Sequence, residues 1–293
     1  MNNTENILEL QNVQKRYKGF VLDGITLNLP RGLILGLIGP NGAGKTTTIK
    51  ILMNIVKSSG GDVNVFGLDP RKDAKKIKNK VGYLGEEQHF YGNRTVAWTG
   101  KFVSAFFDDW DTNTFQGLLT SFGISRTKKT RELSKGMKVR FSLALALSHN
   151  PELLILDEPT AGLDPVIRRE VLELLRKKSK NEGKSVIISS HITDDIMRTA
   201  DLVAFLIGGK IVLMSEKDEL LANWKRIHYK KGTLDSEIAN SLTRQTDHAF
   251  GSSGITNRYL EIKDSLVQGI TEGVIKIENV NLDDILISLV KGA

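Results

Sequence analysis

Between residues 33 and 46 the chain passes from a dense apolar run, Leu33 to Ile38, straight into Gly39-Pro40-Asn41-Gly42-Ala43-Gly44-Lys45-Thr46. An unbroken apolar run of this kind fits a strand covered on both faces of a parallel sheet. The glycines that follow let the backbone wrap closely around an anion with its N–H groups turned inward. A helix expected from about Gly44 to Ile55 adds the positive end of its dipole. Strand, loop and helix with the spacing G-x-x-x-x-G-K-[ST] make a phosphate loop. Lys45 is expected to reach the β and γ phosphates of a nucleotide, Thr46 to offer its hydroxyl to Mg2+, and Thr47 to continue the phosphate-binding turn. The loop alone leaves a GTPase, a kinase and an ATPase open.

A second constraint lies at Leu153-Leu154-Ile155-Leu156-Asp157-Glu158, where two carboxylates end another buried run. Ligands of parallel sheets sit at the carboxyl ends of the strands. Asp157 is therefore expected to hold Mg2+ together with Thr46, and Glu158 to orient or deprotonate an attacking water. Pro159 stiffens the turn that follows. His191 follows a third run, Val186 to Ser190, directly and is placed to touch the γ-phosphate or that water. The other histidines, at 89, 149, 228 and 248, lack metal-ligand spacing and read as structural or solvent-facing.

The remaining periodicity fits an α/β chain. Ile7 to Val13 and Leu22 to Leu29 read as antiparallel strands about a Lys18-Gly19 turn, beside the main sheet. Further strands are expected at Val81 to Leu84, Leu202 to Leu206 and Ile211 to Met214. Helices are expected at Thr95 to Phe107, Thr112 to Phe122, Gly136 to Ser148, Val166 to Lys178 and Thr193 to Thr199. Alternating strands and helices imply a mostly parallel sheet covered on both faces. The fold expected is a P-loop NTPase with a mostly parallel central sheet, an antiparallel β subdomain and a helical subdomain at about 90–148. It would occupy residues 1–222, with a small α+β extension at 223–293. That extension is polar, with Gly251-Ser252-Ser253-Gly254 and short β-like runs; Val274 to Ile277 reads as a strand and Asn281 to Val290 as a closing helix capped by Asn281.

Composition narrows the chemistry. The 293 residues contain no cysteine, which removes disulfides, thiol nucleophiles and thiolate metal sites. Apolar stretches are far shorter than a membrane span, so any membrane role is expected to be peripheral. The formal charge of +7 is accounted for by solvated lysines and an anionic ligand rather than by a nucleic-acid surface.

Taken in order, these segments resemble the nucleotide-binding subunits of ATP-binding-cassette (ABC) transporters, over residues 7 to about 221. Leu133-Ser134-Lys135-Gly136-Met137 corresponds to the family signature usually written Leu-Ser-Gly-Gly-Gln, with Lys135 and Met137 departing from it. Ala161-Gly162-Leu163-Asp164 looks like the loop that crosses the dimer interface, and His191 like the switch histidine. Tyr17 matches the aromatic that stacks on adenine. Glu86, in Gly82-Tyr83-Leu84-Gly85-Glu86, occupies the place of the lid-loop glutamine, where a carboxylate can still meet Mg2+ or water. Ala105-Phe106-Phe107-Asp108-Asp109-Trp110-Asp111 looks like a subgroup of bacterial drug and peptide-antibiotic exporters.

The resemblance implies MgATP hydrolysis at a head-to-tail dimer interface, with Ser134 and Gly136 of one chain covering ATP held by the other. It also implies a second nucleotide-binding subunit, a separate integral membrane permease, and a cytoplasmic location at the inner face of the cell membrane. The alternatives are a soluble ATPase of the same family and a regulatory subunit with weakened hydrolysis.

Overall fold

The structure, a computed structural model, describes residues 5–248 and 251–291. The chain divides between Met214 and Ser215 into two compact units, a few residues ahead of the boundary read at 222.

In the first unit β1 (Asn6–Tyr17) and β2 (Phe20–Pro30) fold back on each other about Lys18-Gly19. Next come β3 (Ile34–Ile38), α1 (Lys45–Leu52) and β4 (Gly60–Val65). β4 pairs with the free edge of β1 to give an antiparallel sheet in the order β2-β1-β4. Leu8 stands opposite Leu29 on one side and Val65 on the other, a buried apolar row of the kind that fixes register.

In the first unit, β4, whose Gly60-Gly61-Asp62 start carries no apolar alternation, and α2 (Ala74–Asn79), of which Ile77 is the buried residue, have no counterpart in the sequence reading. α1 stops at Leu52 rather than Ile55. Asn54 takes a left-handed φ of 49°, and the N–H groups of Ile55 and Val56 both turn back to the Lys50 carbonyl, which closes the helix.

The main sheet adds β5 (Val81–Leu84), β6 (Leu153–Asp157), β7 (Ser185–Ser190), β8 (Leu202–Ile207) and β9 (Lys210–Glu216), in the order β5-β6-β7-β3-β8-β9. β5, β6, β7, β3 and β8 run parallel. Every residue of β3, β6 and β7 is buried, as unbroken apolar runs require. Side chains from both sheets and from α1 share one core, including Leu10, Ile25, Leu37, Ile49 and Ile155.

Between β5 and β6 lie α3 (Val96–Ser104), α4 (Thr112–Ser121) and α5 (Lys135–Leu147), packed around Val96, Phe115, Leu119 and Phe141. α6 (Pro165–Glu182) and α7 (Thr193–Thr199) complete the unit. α6 begins at a cap in which the Asp164 carboxylate accepts from the N–H groups of Val166 and Ile167, both at 3.1 Å. It outruns the expected end at Lys178 and stops only at Gly183, in the left-handed conformation.

The second unit contains α8 (Lys217–Asn223), β10 (Lys225–Tyr229), α9 (Ser236–Ser241), β11 (Thr243–His248), β12 (Gly251–Thr256), α10 (Tyr259–Ile262), α11 (Val267–Thr271), β13 (Ile275–Asn279) and α12 (Leu282–Lys291). The four strands form an antiparallel sheet in the order β11-β12-β10-β13. The polar Gly251-Ser252-Ser253-Gly254 run is part of an interior strand of that sheet. Its hydroxyls are spent locally, Ser252 donating to Asp247 at 2.6 Å. Asn281 caps the closing helix by accepting from the Asp284 N–H at 2.8 Å.

Candidate nucleotide site

The ends of β3, β6 and β7 bring the predicted phosphate loop, acidic pair and histidine together. After Ile38 the chain turns through Gly39, where a β-carbon would collide with the Leu206 carbonyl on β8. Gly44 precedes α1 with φ 113°, a conformation closed to side chains, and presses on Phe20 and Leu22. Glycine is therefore required at both positions by packing. Gly39→Ala is expected to destabilise the unit by about 1–3 kcal/mol, the usual range for forcing atoms into a packed core. Urea unfolding measures this, and an unchanged midpoint contradicts it.

Lys45 is buried at the start of α1, and its ammonium donates to the Gly39 carbonyl at 2.8 Å and the Pro40 carbonyl at 3.4 Å. It also lies 3.4 Å from Glu158 Oε1. The other Glu158 oxygen is 2.8 Å from His191 Nδ1. Glu158 thus sits between the lysine and the histidine, 9% exposed, with a left-handed φ of 50°. An L-residue is held there only where its surroundings over-determine it, and such strain collects at functional sites.

Asp157 is completely buried. Ser189, one strand over on β7, donates its hydroxyl to Asp157 Oδ1 at 2.5 Å and accepts from the Glu158 N–H at 3.1 Å. Asp157 Oδ2 has no protein partner. A buried carboxylate oxygen left unpaired is costly unless a cation or water completes it. Burial raises the pKa of the neighbouring Tyr83 phenol, and the Asp157 charge raises it further. Among the described residues no group of three or more His, Cys, Asp or Glu side chains is placed to hold a metal. One free, buried carboxylate oxygen is the sparse protein donor that suits Mg2+, which takes most ligands from phosphates and water.

A cavity of about 620 Å³ opens over these groups, lined by Asn41, Gly42, Ala43, Gly44, Lys45, Thr46, Thr47, Glu86 and Glu158. Gly19 and Phe20 also line it.

The ABC transporter family profile matches residues 22–161. The lantibiotic transport ATP-binding protein SrtF of Streptococcus pyogenes is 37% identical over 215 residues, 72% of this chain and 92% of SrtF. The chain belongs to the ATP-binding subunits of ABC transporters. It is an ATPase of that family. The ABC transporter ATP-binding protein YtrB of Bacillus subtilis is 28% identical over 288 residues, 96% of this chain and 97% of YtrB, so the likeness extends into the second unit. A solved ATP-binding subunit of an ABC transporter superposes with a TM-score of 0.68 at 25% identity, covering 74% of this chain and 92% of that one.

The remaining ABC positions fall in different places. Glu86 is exposed and stands on the cavity wall, beyond β5, while Gln88 donates back to the Gly85 carbonyl at 3.0 Å. Tyr17 is 43% exposed at the end of β1, with the Lys15 ammonium 5.2 Å over its ring, and does not line the cavity. Phe20, its partner across the turn, does. The residue type pointed to an aromatic here, but which of the two faces the loop depends on the hairpin.

Ser134 and Gly136 do not reach this cavity either. Ser134 is exposed as the cap of α5, accepting from the Met137 N–H at 3.3 Å. Gly136 is buried against Ile167, and a β-carbon there would meet that side chain at 2.6 Å. The Lys135 side chain lies over Gly162, so the unusual lysine and the loop after the acidic pair already touch within one chain. Ser189, Thr160 and Asp195, which brace the acidic pair and its loop, carry no motif and went unread in the sequence.

Proposed function

We propose that this ABC subunit binds and hydrolyses MgATP at an interface between two nucleotide-binding subunits and so drives export through a separate membrane permease. The observation that carries the reading is Glu158, clamped in a left-handed conformation between Lys45 and His191 beside the unpaired oxygen of Asp157. In this arrangement the Lys45 ammonium rests on the Gly39 and Pro40 carbonyls and on Glu158. A triphosphate in the loop draws Lys45 onto the β and γ phosphates, and Glu158 keeps His191 as its partner. Glu158 then accepts a proton from the attacking water as the γ-phosphate leaves, and His191 orients the carboxylate. Asp157 and Thr46 are the residues that would hold Mg2+, with Glu86 available to it or to its water, and the ion would supply positive charge against the charge developing on the phosphates.

Ser134 and Gly136, outside the cavity of their own chain, serve the ATP of a second subunit arranged head to tail. The start of α5 turns its backbone amides, the Ser134 hydroxyl and Lys135 toward that γ-phosphate. A role in transport is supported by the relative SrtF, whose name places it in lantibiotic transport. The 105–111 segment supports the same reading. We place the subunit in the cytoplasm at the inner membrane face. No helix among the described residues is long and apolar enough to cross a membrane.

The permease contact is assigned to the helical segment. Tyr91, Trp98, Phe102 and Phe106 are exposed and stand in one row, with Trp98 and Phe102 stacked at 5.2 Å. Phe107 stacks on the buried His149 at 3.9 Å, and Trp110 packs on Phe115 of the helical core. Of the aromatics in this segment, the row is what remains available to a partner, and aromatic anchors dominate such interfaces. Replacing Trp98 and Phe102 together by serine is expected to lower co-purification of a polytopic membrane protein by about 10-fold or more while ATP binding persists. Undiminished capture of the permease contradicts the docking role, and purification of the native subunit with no membrane protein contradicts the transporter reading.

A further inference from the structure

We propose that Asp195 is a positioning residue for hydrolysis: one buried carboxylate that ties the Glu158 loop, the His191 segment and the start of α6 into a single unit. The inference rests on the reading of Glu158 as the group that works on water.

Asp195 is 1% exposed on α7, four residues after His191. Its Oδ2 accepts from the hydroxyl of Thr160, itself 1% exposed, and its Oδ1 accepts from Arg168 Nε at 2.5 Å. Thr160 lies two residues beyond Glu158. The loop there is wound tightly, with the Ala161 N–H on the Glu158 carbonyl and the Leu163 N–H on the Thr160 carbonyl, both at 3.2 Å. Arg168 stands on the first turn of α6, its N–H on the carbonyl of the capping Asp164 at 3.0 Å.

Packing alone does not call for a charge at this place. A buried ion pair stabilises little compared with an apolar contact of the same shape, and in some proteins its use is to fix geometry. Asp194, next along α7, is on the surface, where it pairs with Arg198 at 3.0 Å and meets the outer edge of Arg168 at 3.9 Å. Asp195 instead reaches inward to a loop that carries a strained residue. With Thr160 held, the left-handed turn at Glu158 has no room to relax, and the carboxylate stays against His191. The same carboxylate, through Arg168, bears on where Asp164 stands and so on Gly162, which lies beneath the Lys135 side chain. A change in that loop on meeting a second subunit therefore bears directly on Glu158.

Steady-state ATP hydrolysis by the full chain tests this with Thr160→Val, Thr160→Ser and Asp195→Asn, each also made in a Glu158→Gln background. Thr160→Val and Asp195→Asn are expected to lower kcat by about 10-fold, the scale of a small misplacement of a reacting group, with KM for ATP within about twofold. Thr160→Ser, which keeps the hydroxyl, restores kcat. In the Glu158→Gln background the same changes add less than about twofold, because Asp195 acts through Glu158. Should Thr160→Val fail to fold, Asp195→Asn is read in the same way, with thermal midpoint and ATP affinity measured on each preparation. Unchanged kcat, a rise in KM in place of the fall in kcat, or the full loss repeated in the Glu158→Gln background overturns the proposal. If Glu158→Gln alone keeps full turnover, the role of Glu158 falls. If Glu158→Gln is slow while Thr160→Val and Asp195→Asn are fast, Asp195 alone loses its role.

Discussion

Replacing Glu158 with glutamine is expected to lower turnover by about 10²-fold or more while ATP binding survives, the scale of a lost general base. Glutamine keeps the length and planarity of the side chain and removes the charge that polarises water. The atoms proposed to bind phosphate belong to other residues of the cavity, Asn41 to Thr47, so affinity has no direct reason to fall. A second consequence follows from the ligand-free contacts. Lys45 loses a carboxylate partner 3.4 Å away and is left with two backbone carbonyls, so it is more readily drawn to phosphate. ATP affinity in Glu158→Gln should therefore be equal to or greater than that of the natural chain. Calorimetry with MgATP and a turnover assay on the same preparation separate the two quantities. Full turnover would move the role to His191 or Glu86.

The parts of this site that were legible in the sequence are those whose chemistry is local in the chain. The phosphate loop occupies eight consecutive residues, and Asp157 ends the strand that delivers the acidic pair, with Glu158 next in the chain. His191 was readable for the same reason, since it ends β7 by one residue. What was not legible depends on which side chains meet across the fold. Thr160 and Asp195 are separated by 35 positions, and neither belongs to a motif. Tyr17 and Phe20 are both aromatic at one hairpin, and only the turn decides that Phe20 lines the cavity.

The second unit shows a different limit. β12 is Gly-Ser-Ser-Gly followed by Ile255 and Thr256, a composition that resembles a linker. Its small side chains suit an interior strand because neighbours leave little space: a β-carbon on Gly254 would press on Leu242 at 2.8 Å. Burial here comes from crowding by β10 and β11 and not from apolar side chains, so hydropathy gives no sign of it. α12, in contrast, was readable from its Asn281 cap and apolar spacing.

The account depends most on a site shared between two subunits, because Ser134 and Gly136 stand outside the cavity that holds Lys45. Lys45→Ala removes the phosphate lysine from the chain that holds ATP. Ser134→Arg blocks the surface that covers the ATP of the other chain. Each variant alone should be inactive, since every site in its homodimer carries the defect. In a mixed dimer one site carries both defects and the other carries neither. Random association of equal amounts makes half of the dimers mixed, so independent sites should return roughly a quarter of the natural activity. ATP hydrolysis by the mixture, with the mixed dimers confirmed by two different affinity tags, is the direct measurement. Recovery to that level is the result predicted here. Activity no greater than either variant alone, with mixed dimers present, would contradict a site completed by Ser134 of the second subunit.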